Sequence, residues 1–223
     1  MPHVLITGAG RGIGTELAND FARGGWTVTA TTRGPTPPGL LTDEVDVRHL
    51  DVAEPATFAA FAQSVVTPVD VLINNAGIFG GRPQRLDAVD PATWIEVFRV
   101  NCIGPLLLTR ALLPRMAPDG ARKLVTITSR MGSLGENGDG SALMYRSSKA
   151  AVNMAMQSLS FEVADQGLGI LLIHPGWVRT AMGTDAATLD VAESVAGIRQ
   201  VIDAFDPSEG VVFRAWDGRD LPW

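Results

Sequence analysis

The 223 residues contain a single cysteine, Cys102, and only three histidines, His3, His49 and His174, far apart along the chain. One thiol cannot close an intramolecular disulfide and scattered histidines have no metal-ligand spacing, so a disulfide framework and a metal centre drop out and a reducing cytoplasm is the expected location. Positive charge is short as well: 18 Lys and Arg against 24 Asp and Glu leave a net charge of −6. Such a balance lacks the basic footprint that holds a nucleic-acid backbone or an anionic lipid surface. The longest apolar stretches, around Ile103 to Thr109 and Ile170 to His174, fall well short of the roughly 18 to 20 residues that span a bilayer. No basic segment precedes the strand pattern at His3-Val4-Leu5-Ile6 and no cleavage-like site follows it, so a signal peptide is not expected. Repeats, low-complexity tracts and linker-like segments are missing too, which favours one domain over residues 1–223.

What is present is a regular alternation. Short β-branched runs at 3–7, 27–32, 45–51, 69–73, 122–128, 169–174 and 211–214 are separated by longer stretches with helical spacing. Parallel strands need crossovers long enough to hold a helix, so this pattern predicts an α/β, doubly wound Rossmann fold: about seven parallel strands with helices on both faces. Asp90-Pro91 and, more weakly, Glu54-Pro55 read as helix starts, an N-cap followed by proline at the first helical position. Glycine and proline concentrate in loops 33–39, 77–83 and 132–141. Ligands of such sheets gather beyond the carboxyl ends of the strands, so the residues after strands 1, 4, 5 and 6 are expected to face one crevice.

After the first strand comes Thr7-Gly8-Ala9-Gly10-Arg11-Gly12-Ile13-Gly14, a Gly-x-x-x-Gly-x-Gly spacing leading into an amphipathic helix. Glycines here suit a turn of positive φ, close approach of backbone to a pyrophosphate, and tight helix–strand packing, with free N–H groups at the helix start to hold the anion. A purely structural turn is the alternative. With this spacing the chain resembles the short-chain dehydrogenase/reductase family. Asp51-Val52 matches the family's adenine-contacting pair, and Asn74-Asn75-Ala76-Gly77 its Asn-Asn-Ala-Gly motif. The matching motifs run in family order from Thr7 to Thr180, and the resemblance implies cofactor contacts from Gly8, Gly10, Arg11, Gly12, Ile13, Gly14, Asp51, Val52, Asn75, Ala76 and Gly77.

Tyr145-Arg146-Ser147-Ser148-Lys149 places the chain's only tyrosine one helical turn before a lysine. An ammonium about 4 Å away at an effective dielectric near 20 attracts a phenolate by roughly 4 kcal/mol, so a fall of about three pKa units before desolvation is expected. An ordinary exposed helix start would show the same spacing. The resemblance makes Tyr145 the acid/base and Lys149 its partner and a ribose ligand, and it implies that Ser129, in Thr128-Ser129-Arg130-Met131-Gly132, binds the reacting oxygen. The gap from Ser129 to Tyr145 is longer than the family usually shows, which leaves Ser133 as a substitute. Asn101 matches the family's helix asparagine, and Pro105, with no N–H, leaves the Asn101 carbonyl free for a water. His174-Pro175-Gly176-Trp177-Val178-Arg179-Thr180 resembles the Pro-Gly-x-x-x-Thr stretch. By that resemblance, backbone from Pro175 to Val178, including Gly176, and the Thr180 hydroxyl would bind the nicotinamide carboxamide. His174 reads as a packing residue, Cys102 as a small buried hydrophobe, and Arg179 as either a phosphate contact or a solvated side chain.

Function then narrows to a hydride-transfer oxidoreductase acting on a carbonyl or alcohol. A serine hydrolase fails for want of a Gly-x-Ser-x-Gly elbow, since Ser141 follows Gly140 but precedes Ala142-Leu143. A non-catalytic nucleotide-binding or signalling module is the alternative, because fold alone does not prove turnover. The Leu221-Pro222-Trp223 ending and the Tyr-Arg-x-Ser-Lys helix are most similar to the C-factor-like branch, where signalling roles have been proposed. Thr32 stands where an NAD enzyme usually carries an acid, and Arg33 and Arg11 can meet a 2′-phosphate, so NADP(H) is expected over NAD(H). Asp43 and Glu44 lie beyond the loop and are not expected to reach the ribose. Phe79, Met131, Met144, Trp177 and Met182 are candidate substrate-wall residues, with a short lid near 181–190. The family resemblance implies a homodimer or homotetramer through helices around 91–116 and 145–165, using Ala150, Ala151, Met154, Met156, Leu159 and Phe161.

Overall fold

A computed structural model describes residues 1–35, 39–118, 121–184 and 186–223. Seven strands form one sheet: β1 (His3–Ile6), β2 (Thr27–Thr32), β3 (Val45–His49), β4 (Val71–Asn74), β5 (Lys123–Ile127), β6 (Gly169–His174) and β7 (Val211–Ala215). Their order is β3-β2-β1-β4-β5-β6-β7, and every pair is parallel. This is the doubly wound Rossmann arrangement expected from the alternation, with the order reversing between β1 and β4.

Side chains alternate across the pleat, and the two faces feed two cores. Leu5, Leu72, Leu124 and Leu172 pack with Phe61, Leu108, Leu112 and Met156 from α2 (Phe58–Ser64), α4 (Gly104–Leu112) and α5 (Leu143–Glu162). On the opposite face Ile6, Ile73, Val125 and Ile173 pack with Leu17 and Phe21 of α1 (Gly12–Arg23) and Ile198 and Ile202 of α6 (Val191–Ala204).

The Asp90 cap behaves as expected: its carboxylate accepts from the Thr93 N–H at 2.8 Å at the head of α3 (Pro91–Phe98). Glu54 makes no side-chain cap, and only a 3₁₀ turn, Pro55–Thr57, precedes α2. Between α3 and α4 the chain widens into a π turn, Arg99–Ile103, closed by the Gly104 N–H on the Arg99 carbonyl. Pro105 explains the widening, because it has no N–H to return to the Asn101 carbonyl. The expectation that no apolar stretch reaches membrane length needs correction. The helical run Pro91–Arg115 is long and apolar enough by length and composition, and half of that window is buried inside the fold, as in the core helix of a folded domain.

Candidate active site

The glycine turn sits at the switch point because its neighbours leave no room for anything larger. A Cβ on Gly8, at φ +72°, would lie 2.7 Å from the Ala76 Cα, and one on Gly14 would meet the Gly8 carbonyl at 2.4 Å. Gly12 also has positive φ. Gly10 differs: among the described residues a Cβ there would touch only Thr32, at 3.8 Å, so none of them demands glycine and space is left beside it for a ligand. Asn75 sutures the turn to β4, its amide donating to the Thr7 and Gly8 carbonyls at 2.9 and 3.1 Å. The Thr7 hydroxyl accepts from the backbone N–H groups of Asn75 and Ala76, each at 3.1 Å. The first turn of α1 holds no acidic residue to compete with an anion for its N-terminus.

A cavity of about 600 Å³ runs along this edge. It is lined by Gly8, by Gly10 to Gly14, by Arg33, Asp51, Val52, Asn75, Ala76 and Gly77, and by Tyr145, Lys149, Pro175 and Thr180. A second cavity of about 600 Å³ takes in Ser129, Gly176 and Val178 together with Phe79, Met131, Trp177 and Met182. Both cavities share Ile13, Thr128, Tyr145, Pro175, Thr180 and Met182, so they are two halves of one cleft meeting at the phenol. Asn101 lines neither half. It stands behind Gly77 and Ile78, where its Oδ1 accepts from the Ile78 N–H and its Nδ2 donates to the Ile78 carbonyl, both at 2.9 Å. A Cβ on Gly77 would lie 3.3 Å from that Oδ1 and 3.7 Å from the Lys149 Nζ.

The catalytic candidates are brought together by tight packing of the 3₁₀ turn Arg130–Gly132, just after β5, on α5. Gly132 permits it, since a Cβ there would meet the Lys149 carbonyl carbon at 2.8 Å. Lys149 Nζ donates to the Ile127 carbonyl at 2.8 Å and lies 5.7 Å from the Tyr145 ring centroid. The expected fall in the Tyr145 pKa is not what this arrangement produces. Burial dominates and pushes the phenol up to about 12, with the Ser129 hydroxyl pulling the other way. Burial likewise brings the Lys149 ammonium down to about 8, so each group loses stability in its charged form.

Ser129 faces the second half of the cleft. Ser133 does not substitute for it: its hydroxyl accepts from the Glu136 N–H at 3.1 Å and donates to the Trp223 carbonyl at 3.2 Å, holding the loop to the C-terminal segment. Met144 is buried at 2% exposure and is a core residue, unlike the other four apolar wall candidates. Thr180 presents its methyl to Gly12, while its hydroxyl accepts from the Gly183 N–H at 3.2 Å. Arg179 lines the first cavity and is tied to Asp190 and to the Ala187 carbonyl, so it is not the freely solvated side chain of the second alternative. His174 lines the second cavity, and burial holds its imidazole down to about 4, hence neutral. Cys102 is buried as expected, with burial raising its thiol. The strip bearing the expected lid folds back on itself through a Val178–Leu189 bridge; Asp185 lies outside the described residues, as do Thr36 to Pro38 of the 33–39 loop.

One positioning residue escaped the sequence reading. Buried Gln84 accepts the Tyr145 N–H on its Oε1 at 3.0 Å and donates from its Nε2 to the Phe79 and Gly81 carbonyls at 2.7 and 2.9 Å. It caps the start of α5, where Ala142 is left-handed and offers no side-chain cap. The only hint was its place at the end of the glycine–proline loop.

The profile of the family described as short chain dehydrogenase matches residues 2–189. The chain belongs to the short-chain dehydrogenase/reductase family. It is therefore an NAD(P)-dependent oxidoreductase of this family. C-signal of Myxococcus xanthus is 46% identical over 165 residues, covering 74% of this chain and 99% of the relative, which supports the C-factor-like branch. The carbonyl reductase Sniffer of D. melanogaster superposes with a TM-score of 0.92 at 27% identity, covering 100% of both chains. A carbonyl reductase from Pseudomonas aeruginosa PAO1 in complex with NADP gives a TM-score of 0.89 at 34% identity, again over 100% of both.

Proposed function

We propose that this short-chain dehydrogenase/reductase is an NADPH-dependent carbonyl reductase, with residues 1–223 acting as one cofactor-binding unit. The observation that carries the reading is Tyr145 at the junction of the two half-cavities, with Lys149 lining one half and Ser129 the other. The residues present fit a dinucleotide: the open space at Gly10, the acid-free α1 N-terminus, and Asp51-Val52 on the cavity wall. Bound nicotinamide supplies the hydride. Ser129 donates a hydrogen bond to the substrate carbonyl oxygen, and Tyr145 gives that oxygen its proton. A phenol held near 12 keeps its proton through the neutral range, which suits reduction, whereas alcohol oxidation needs the phenolate and gains as pH rises. Lys149 serves the ribose and, when charged, favours the phenolate, and Asn101 behind Gly77 holds the far end of a proton path. Pro175 to Val178 and Thr180 form the nicotinamide end.

Preference for the phosphorylated cofactor rests on Arg11 and Arg33. Both are exposed, both line the cofactor half, and neither forms an ion pair among the described residues. Thr32 turns its hydroxyl to the Gly34 carbonyl at 2.9 Å, and Asp43 and Glu44 do not line the cavity. A guanidinium fork matches a phosphate with two parallel charge-assisted bonds, so NADPH is expected to exceed NADH by at least about tenfold in kcat/KM. Steady-state kinetics with both cofactors, on wild type and on Arg11→Ala with Arg33→Ala, test this. Equal efficiencies, or a preference untouched by the double substitution, contradict it. A cytoplasmic homodimer or homotetramer acting on a small-molecule carbonyl, without nucleic-acid or membrane partners, completes the proposal.

A further inference from the structure

The substrate half of the cleft is not the plain apolar pocket its candidate wall residues suggest. Phe79 and Trp177 form aromatic walls, yet three arginines, Arg82, Arg130 and Arg146, also line it. Arg146 is committed: it is bonded to Asp139 and to the Ser141 carbonyl, each at 2.7 Å. Arg82 and Arg130 are exposed and form no ion pair or side-chain hydrogen bond among the described residues. In an acidic chain of net charge −6, two such cations on one small cavity are conspicuous. Neither is simply projecting into solvent. The Arg82 guanidinium stacks 4.3 Å from the Phe79 ring centroid, and that ring lies 5.1 Å from the Tyr145 ring. Arg130 follows Ser129 directly and lines the same cavity as Ser129 and His174.

We infer that the substrate is a carbonyl compound bearing a carboxylate, held at the mouth of the cleft by Arg82 and Arg130 while its carbonyl oxygen lies between Ser129 and Tyr145. The inference rests on the reductase reading and narrows it to a substrate class. Charge decides for a monoanion: Asp139 is neutralised by Arg146, His174 is neutral, and Glu136 offsets one of the two remaining cations, leaving a single positive charge to match. Arg82 and the Tyr145 ring both pack on Phe79, so a substrate that reaches both needs a spacer of about one aromatic ring between its carboxylate and its carbonyl.

The test compares 4-carboxybenzaldehyde with its methyl ester, using NADPH. For wild type the carboxylate is expected to exceed the ester by about tenfold or more in kcat/KM, mostly through KM, and to lose that lead as salt is raised. Arg82→Gln with Arg130→Gln should bring the ratio near unity, and Glu136→Gln should raise it. An ester turned over as well as the carboxylate, or a ratio the double substitution does not change, overturns the inference and leaves the reductase reading intact. If neither aldehyde is reduced, calorimetry of 4-carboxybenzyl alcohol and its methyl ester decides: carboxylate-selective binding lost in the double variant sustains the anion site and sinks the reductase reading, and equal binding sinks the anion site.

Discussion

Tyr145 and Lys149 show how differently a spacing and its surroundings act on one pair of side chains. Their i, i+4 separation was legible and places both on the cleft side of α5, but burial governs their titration, and burial depends on β5 and the 3₁₀ turn Arg130–Gly132, brought onto α5 by an irregular loop with no periodicity to read. Lys149 in the folded protein holds its proton less tightly, at about 8, than the ordinary 10.5 of an unfolded lysine. Its burial therefore costs stability most below about pH 8, and the cost fades as pH rises toward the unfolded value. Lys149→Met is expected to stabilise the ligand-free protein at pH 7 by up to about 3 kcal/mol, with the gain shrinking near about pH 10, while turnover is lost. Denaturant melts at the two pH values check it; a destabilised variant at pH 7, or a gain independent of pH, contradicts it. Gln84 belongs to the same scale: no local pattern marks a loop glutamine as the acceptor for the N–H of Tyr145, 61 residues downstream.

Among the elements, the strands were the most legible, because each core strand is a short β-branched run whose two faces are both buried. Helix ends depended on single side chains. Asp90 caps as its type predicts, whereas Glu54 does not reach back, and α2 shrinks to seven residues. The widened turn before Pro105 is legible in physical terms as a missing donor, though not as a π turn. Of the residues expected to form a subunit contact, the structure separates core from surface. Met156 and Leu159 belong to the core, at 0% and 8% exposure, while Met154 and Phe161 on the same helix are 65% and 77% exposed, and Ile95 on α3 is 69% exposed. Burying these across a two-fold axis would remove the largest unpartnered apolar side chains on α3 and α5 from water. Met154→Glu with Phe161→Glu is expected to convert the wild-type oligomer to a species near 23.6 kDa in sedimentation at micromolar concentration. Wild type already sedimenting at that mass would contradict the proposed assembly.

At the scale of the whole molecule, parallel strands in this order carry the ends of β1, β4, β5 and β6 to one edge, so motifs spread from Gly8 to Thr180 line a single cleft. That convergence was legible because it follows from topology alone. The polar rim of the substrate half was not: Glu136, Gly138 and Asp139 lie in an irregular loop with no periodicity to read, and its course is set by Ser133 and the Trp223 carbonyl. All of this geometry is built around one phenol, which makes Tyr145→Phe the most direct test of the account. The substitution keeps the ring against Phe79 and removes only the O–H, so NADPH affinity in a fluorescence titration is expected to stay within about threefold while carbonyl reduction falls by at least about a hundredfold. Turnover within about tenfold of wild type at unchanged NADPH affinity would contradict the assignment of Tyr145 as the proton donor.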